Sequence, residues 1–244
     1  MFKMHTHDIY EIYCFLEGNA KYYVEGNIYN LKPNDILIIK KAEAHSLLIN
    51  SESPYKRIVV NFNSDALLSN KPEELLSFLD NKPLGKNNRY SAIKFNTKNW
   101  IYYLENICDA NTLEGQQLYL TVLVNELNRE YKKISDKETQ HDIITDIIEY
   151  INSNLTGNLS LDDICKKFYL SKMHLNRRFK LITGSTVWDY VIIKRLLLAK
   201  ELLQNGGRPT DVYSKCGFND YCSFYRIYKS KFNTSPKNDF KKKL

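Results

Sequence analysis

The spacing of apolar positions changes along the 244-residue chain. Over roughly the first 60 residues, short runs rich in Ile, Val and Tyr alternate with turn formers. The runs are "YEIYCFL", "AKYYVEG", "DILIIKK", "HSLLIN" and "YKRIVVNF"; the breaks are Gly18-Asn19, Gly26-Asn27, Pro33-Asn34 and Ser53-Pro54. Closely spaced short strands of this kind predict a sandwich or small barrel. Residues 64–96 carry no clear period. From Thr97 to Tyr131 the period becomes helical. Trp100, Leu104 and Ile107 form one stripe, and Leu120, Val124, Leu127 and Tyr131 form another. The polar stretch "KKISDKETQHD", residues 132–142, reads as a linker.

Everything beyond that stretch reads as helix. Ile143, Ile144, Ile147, Ile148 and Ile151 share one face, with Gly157 as a stop. Ser160 and Asp163 make a capping-box pattern. Ser171 caps the next helix and Gly184 ends it. "TVWDYVIIKRLLLAKELL" predicts a long helix stopped by Gly206-Gly207. Pro209 sits in the first turn of a further helix, where its missing N–H costs little. Asp220 caps the last strong helix. The pattern predicts a two-domain, mixed chain. An N-terminal all-β sandwich or small barrel followed by helices occupies residues 1–131, a linker 132–142, and an all-α domain 143–244.

Composition narrows the function classes. Hydrophobic residues make up 43%, which excludes global disorder. No apolar run approaches the ~18–20 residues of a membrane span, so no membrane partner is expected. The start "MFKMHTHDIYEIYC" lacks a signal-peptide pattern. The five cysteines (Cys14, Cys108, Cys165, Cys216 and Cys222) are widely spaced without a Cys-x-x-Cys, which predicts a reduced, cytoplasmic protein. The net charge of +7 is uneven. Residues 1–140 hold 17 Lys+Arg and 18 Asp+Glu, whereas 141–244 hold 18 and 10. A basic half suggests a polyanion partner; a solvated lysine surface is the alternative.

Two segments of that basic half follow one plan. Sliding "YLSKMHLNRRFKLITG" (169–184) by 49 positions onto "FNDYCSFYRIYKSKFN" (218–233) superposes Ser171 on Asp220 and Leu175 on Phe224. Arg177 then meets Arg226, Phe179 meets Tyr228 and Lys180 meets Lys229. A short helix, a tight turn and a basic helix make a helix-turn-helix unit. The first copy directs Leu175, Phe179 and Ile182 inward. Lys172, Met173, Asn176, Arg177 and Lys180 remain outside as DNA-contact candidates. In the second copy Phe224, Ile227 and Tyr228 face inward, and Tyr221, Cys222, Tyr225, Arg226 and Lys229 face out. Arg reads guanine bidentately, Asn reads adenine, and Lys holds phosphate. The alternative is a pair of amphipathic helices with solvated basic faces.

"LSKMHLNRRFKLITGSTVWDY", "KRLLLAKELL" and "GFNDYCSFYRIYKSKFNTSP" resemble the AraC/XylS transcription regulators over residues 141–240. The resemblance implies two helix-turn-helix units on one long helix, and double-stranded DNA as the partner. Tyr213 stands where the family usually has a small residue, Asn233 where it has Gly, and "KNDF" where it has a Tyr-Arg ending. The stretch "HTHDIYEIYCFLEG" resembles the first cupin box through His5, His7, Glu11 and Gly18, and His45 matches the histidine of the second box. Asn34, Lys40 and Ala42 replace that box's Gly, Pro and Gly.

That likeness implies a small cupin barrel that binds an effector, with a sugar as one candidate. His5, His7, Tyr10, Glu11, Tyr13 and His45 are the candidate pocket residues, with Tyr22, Tyr23 and Tyr29 nearby. His5, His7, Glu11 and His45 form a candidate divalent-metal set; the favoured reading needs no cofactor and no catalytic residue. A homodimer formed through residues 97–131, activation, and RNA polymerase as a further partner complete the expectation. The first box begins close to Met1, leaving little room for an N-terminal arm. The rival readings are a metal-dependent cupin enzyme fused to a DNA-binding domain, and an architectural DNA-binding protein without an effector.

Overall fold

Alternation along β1 (Tyr10–Glu17) decides the architecture of the first part of the chain. Tyr10, Ile12 and Cys14 join a buried cluster with the helices, whereas Tyr13 and Phe15 join a second cluster between two sheets. Successive side chains of a strand point to opposite faces, so a strand covered on both sides is apolar throughout. The computed structural model describes residues 4–49, 54–134 and 142–240.

The further strands are β2 (Ala20–Val24), β3 (Asn27–Asn30), β4 (Ile36–Ile39), β5 (His45–Ile49), β6 (Lys56–Phe62) and β7 (Arg89–Tyr90). They form two antiparallel sheets, ordered β6-β1-β4-β7 and β3-β2-β5. β4 repeats the alternation of β1: Ile36 and Ile38 face the helices, and Leu37 and Ile39 face the other sheet. The helices α1 (Pro72–Asp80), α2 (Thr97–Asp109) and α3 (Leu113–Tyr131) cover the outer face of the first sheet. Leu104, Leu123, Val124 and Leu127 are fully buried there, each burial stabilising by about 1.5–3 kcal/mol.

The stretch without a period, 64–96, has a tertiary explanation. The buried Glu43 carboxylate accepts hydrogen bonds from the Lys40 and Gly85 backbone N–H groups and from the Asn88 amide, and it pairs with the buried Lys82 ammonium. Burial lowers the Lys82 pKa. This network anchors residues 82–88 onto the β4–β5 turn through partners about forty positions away in sequence. Backbone conformation bears on two departures from the cupin pattern, Asn34 in the β3–β4 connection and Ala42 in the β4–β5 turn. Asn34 and Ala42 both have left-handed backbone, φ 72° and 62°, where glycine is the unstrained residue.

The second part is helical: α4 (Ile143–Ser153), α5 (Leu161–Phe168), α6 (Lys172–Thr183), α7 (Val187–Gln204), α8 (Pro209–Lys215), α9 (Tyr221–Phe232) and α10 (Pro236–Asp239). Ser160, Ser171, Thr186 and Asp220 each accept a backbone N–H three residues on, so α5, α6, α7 and α9 are all side-chain capped. Gly184 and Asn233 end α6 and α9 in left-handed conformation. Helix α4 ends at Ser153, four residues before the expected stop at Gly157.

The chain divides into two compact units, Met1–Asp142 and Ile143–Leu244. Residues 135–141 of the expected linker, Ser53 of the fourth turn and the last four residues lie outside the described residues. Among the described residues no helix is long and apolar enough to cross a membrane.

Candidate functional site

Helix α6 presents the first basic face. Leu175 and Phe179 are fully buried and Ile182 is nearly so, which turns Lys172, Met173, Arg177 and Lys180 to solvent and leaves Asn176 half-buried. Met173 is 81% exposed, unusual for so apolar a side chain. Lys172 is not wholly available: its ammonium lies 2.8 Å from an Asp162 oxygen on α5. His174 and Arg178 are exposed on the flank of the same helix and were missed by the matched-copy reading, because they have no basic counterpart 49 positions on.

Helix α9 presents the second face. Phe224 and Tyr228 are fully buried, Ile227 is half-buried, and Cys222, Tyr225, Arg226 and Lys229 are exposed. Tyr221 departs from the outward reading. Its ring packs against Tyr213 at 5.8 Å and Phe224 at 6.0 Å between centroids, so it is half-buried and acts mainly as packing. Tyr213 thereby gains a use: the larger residue fills the space beside Tyr221. The "KNDF" ending is also accommodated, because Tyr228 donates its hydroxyl to Asp239 at 2.6 Å.

The two faces share one scaffold. Tyr190 of α7 packs edge-on against Phe179 of α6, and Leu196, Ala199 and Leu203 pack into the α8–α9 cluster. Arg195 is the joint. Its guanidinium donates to the Leu155 carbonyl at 2.8 Å, to Gly157 at 3.0 Å and to Gly217 at 2.6 Å. It therefore ties the α4–α5 connection to the turn of the second helix-turn-helix unit. Gly217 has φ +82°, and a Cβ there would lie 2.8 Å from the guanidinium carbon. Only glycine allows that approach.

A different site lies between the two sheets. A cavity of about 430 Å³ is lined by His5, Glu11, Tyr22, Leu47, Arg57, Val59 and Asn61. Glu11 sits on β1 opposite Asn61 of β6. Its carboxylate accepts the Tyr22 hydroxyl at 2.7 Å and faces His7 Nε2 at 3.2 Å and His45 Nε2 at 3.7 Å. Burial opposes its ionisation, yet the facing His45 and His7 rings and the Tyr22 hydroxyl hold its carboxyl far below the usual range. Burial would lower the His7 pKa, but the Glu11 contact outweighs it and the net shift is upward. His5 and His45 exchange backbone hydrogen bonds at 3.0 and 2.9 Å, which brings the N-terminal segment beside β5.

Of the expected pocket residues, His5, His7, Glu11 and His45 are brought together, and two tyrosines are not part of that group. Tyr10 is on the opposite face of β1, where its hydroxyl donates to Asp80 at 2.9 Å. Tyr13 is 1% exposed between the sheets, paired with the Tyr55 hydroxyl at 2.5 Å. Tyr29 is also committed, donating to the Gly85 carbonyl. Arg57 and Asn61 were missed, because β6 reaches the cavity only through its pairing with β1.

Residues 164–242 match a helix-turn-helix domain family, and residues 1–83 match the AraC-like ligand binding domain. The regulatory protein SoxS of Escherichia coli K12 is 33% identical over 103 residues, which span 42% of this chain and 95% of that protein. The chain belongs to the AraC family of transcription regulators. As an AraC-family member it is a ligand-gated, DNA-binding regulator of transcription. The transcriptional activator RhaS of Mannheimia succiniciproducens is 25% identical over 247 residues, covering 97% of this chain and 88% of its own. The crystal structure of ToxT from Vibrio cholerae O395 covers 97% of this AraC-family chain and 90% of its own at 17% identity, with a TM-score of 0.42.

Proposed function

We propose that this AraC-family regulator is a cytoplasmic activator that reads two successive major-groove segments of double-stranded DNA with α6 and α9. The observation that carries this reading is that both capped basic helices pack on α7, α6 through Phe179 against Tyr190 and α9 through Phe224 and Tyr228 against Leu196, Ala199 and Leu203, with Arg195 tying the α4–α5 connection to the turn before α9. Arg177 and Arg226 are the base-reading residues, supported by Asn176, Met173, Cys222 and Tyr225; Lys172, Lys180 and Lys229 hold phosphate. The two segments lie about one helical turn, ~10 base pairs, apart on one face of the duplex. The effector is a small polar molecule, a sugar among the candidates, bound in the cavity beside Glu11, Tyr22, Arg57 and Asn61.

Exposed Leu118 and Val122, one turn apart on α3, together with exposed Tyr102 on α2, supply an apolar surface for a homodimer. RNA polymerase is the remaining partner, and the chain needs no catalytic residue for this role. Titrating the full chain onto its DNA site at several salt concentrations tests the reading. Neutralising about 5–8 phosphates gives a slope of about −5 to −7 in log affinity against log salt. A flat response overturns it.

A further inference from the structure

We propose that His5, His7, Glu11 and His45 hold a divalent first-row transition-metal ion in the sensor unit. Their donor atoms all lie within 4.8 Å of one another. Two donors on one ion at about 2.1 Å each are separated by at most about 4.2 Å. The widest pair therefore closes by about 0.6 Å if its donors lie opposite each other on the ion, and by about 1.4 Å at the ~3.4 Å donor spacing of a tetrahedral site, a movement that small side-chain rotations supply.

The hydrogen bonds around the cluster fix which ring nitrogens face inward. His7 Nδ1 donates to the Ile9 carbonyl and His45 Nδ1 to the Glu43 carbonyl, both at 2.9 Å. A carbonyl oxygen only accepts, so each ring carries a proton on Nδ1 and turns Nε2 toward Glu11. Backbone carbonyls that orient imidazoles in this way are the usual outer shell of a metal site.

The decisive atom is His45 Nε2. His45 is fully buried, and this nitrogen has no hydrogen-bond partner. Such an atom is costly to leave unsatisfied. It faces the Glu11 carboxylate 3.7 Å away, beyond hydrogen-bond reach, and a cation seated between the two gives each of them a partner. Glu11 is held for the purpose by the Tyr22 hydroxyl on its other oxygen. Three imidazoles and one carboxylate suit zinc, iron, cobalt or nickel better than magnesium or calcium. His5 and Glu11 also line the cavity, so the ion forms part of its wall. This makes the metal a component of the effector site. The metal proposal does not depend on the DNA reading, because it rests on the first unit alone.

The test uses the full chain, stripped with a chelator and titrated with Co²⁺ while visible absorption and calorimetry are recorded. The expected result is one ion per chain, ligand-field bands from nitrogen and oxygen donors, and a rise in melting temperature. His7→Ala, Glu11→Gln and His45→Gln should each weaken binding by at least about tenfold. His7 is half-exposed, so His7→Ala keeps the test valid if the buried variants fail to fold, and circular dichroism identifies those. Mg²⁺ should neither bind nor shift the melting temperature. Absence of Co²⁺ binding overturns the proposal. Binding that survives His7→Ala with thiolate-to-metal bands also overturns it, since it places the ion on exposed Cys108 or Cys222.

Discussion

The two helix-turn-helix copies share caps, inward positions and basic outward positions, yet they are seated differently. Tyr169 and Phe218 occupy equivalent places 49 residues apart, in the turn before each basic helix. Tyr169 is 95% exposed and left-handed, φ 53°, whereas Phe218 is 8% exposed and packs at a tilt against Phe224, 5.2 Å between centroids. The second copy continues as an aromatic chain through Tyr228 and Phe232. The first copy relies on Ile164, Leu175, Phe179 and Ile182 and leaves its turn aromatic in solvent. Matched spacing thus specifies two units of one kind, and the neighbours of each unit decide how much of its apolar surface is covered. The outer faces diverge accordingly. Tyr221 of the second copy is drawn into packing, whereas its counterpart Lys172 stays at the surface and pairs with Asp162.

The largest expected contrast is in stability. Phe218→Ala should cost about 3–5 kcal/mol by removing a buried aromatic side chain. Tyr169→Ala should stay within about 0.5 kcal/mol, as surface changes do. Chemical denaturation of both variants measures the difference; equal losses would mean that the turns are seated alike.

A smaller contrast concerns reading. Arg177→Ala should relax sequence preference in one half of the DNA site and Arg226→Ala in the other, each by about 1–3 kcal/mol. Binding-site selection on the two variants locates the affected base pairs. If both lose preference at the same base pairs, the two copies do not read separately.

The smallest effect is expected at Tyr221. A ring used for packing tolerates loss of its hydroxyl, so Tyr221→Phe should change DNA affinity by no more than about 0.5 kcal/mol. A tenfold loss in a titration against the selected site would return Tyr221 to the set of DNA contacts.

Much of this architecture was legible because its causes are local. Ser160, Ser171 and Asp220 act on amides three residues away, and Gly184 and Asn233 close the helices they follow. The strands of the first unit were readable from β-branched and aromatic runs, except β3, which is only four residues long and begins inside the Gly26-Asn27 break. His5, His7, Glu11 and His45 were legible as a set through their spacing and their likeness to a cupin box.

What the linear pattern left open depended on partners distant in sequence. Arg195 reads as one more basic residue of an amphipathic helix until its carbonyl partners at Leu155, Gly157 and Gly217 are in place. Glu43 reads as a turn residue until Lys82, Gly85 and Asn88 arrive around it. Tyr10 and Glu11 are neighbours in sequence, but the pleat sends one to the helices and the other to the cavity. The sequence by itself determined two units, their helix ends and the repeated basic plan, because capping and periodicity act over three or four residues. Tertiary structure alone decided which aromatic is buried, which arginine is a joint and where the cavity opens, because burial depends on what packs from elsewhere.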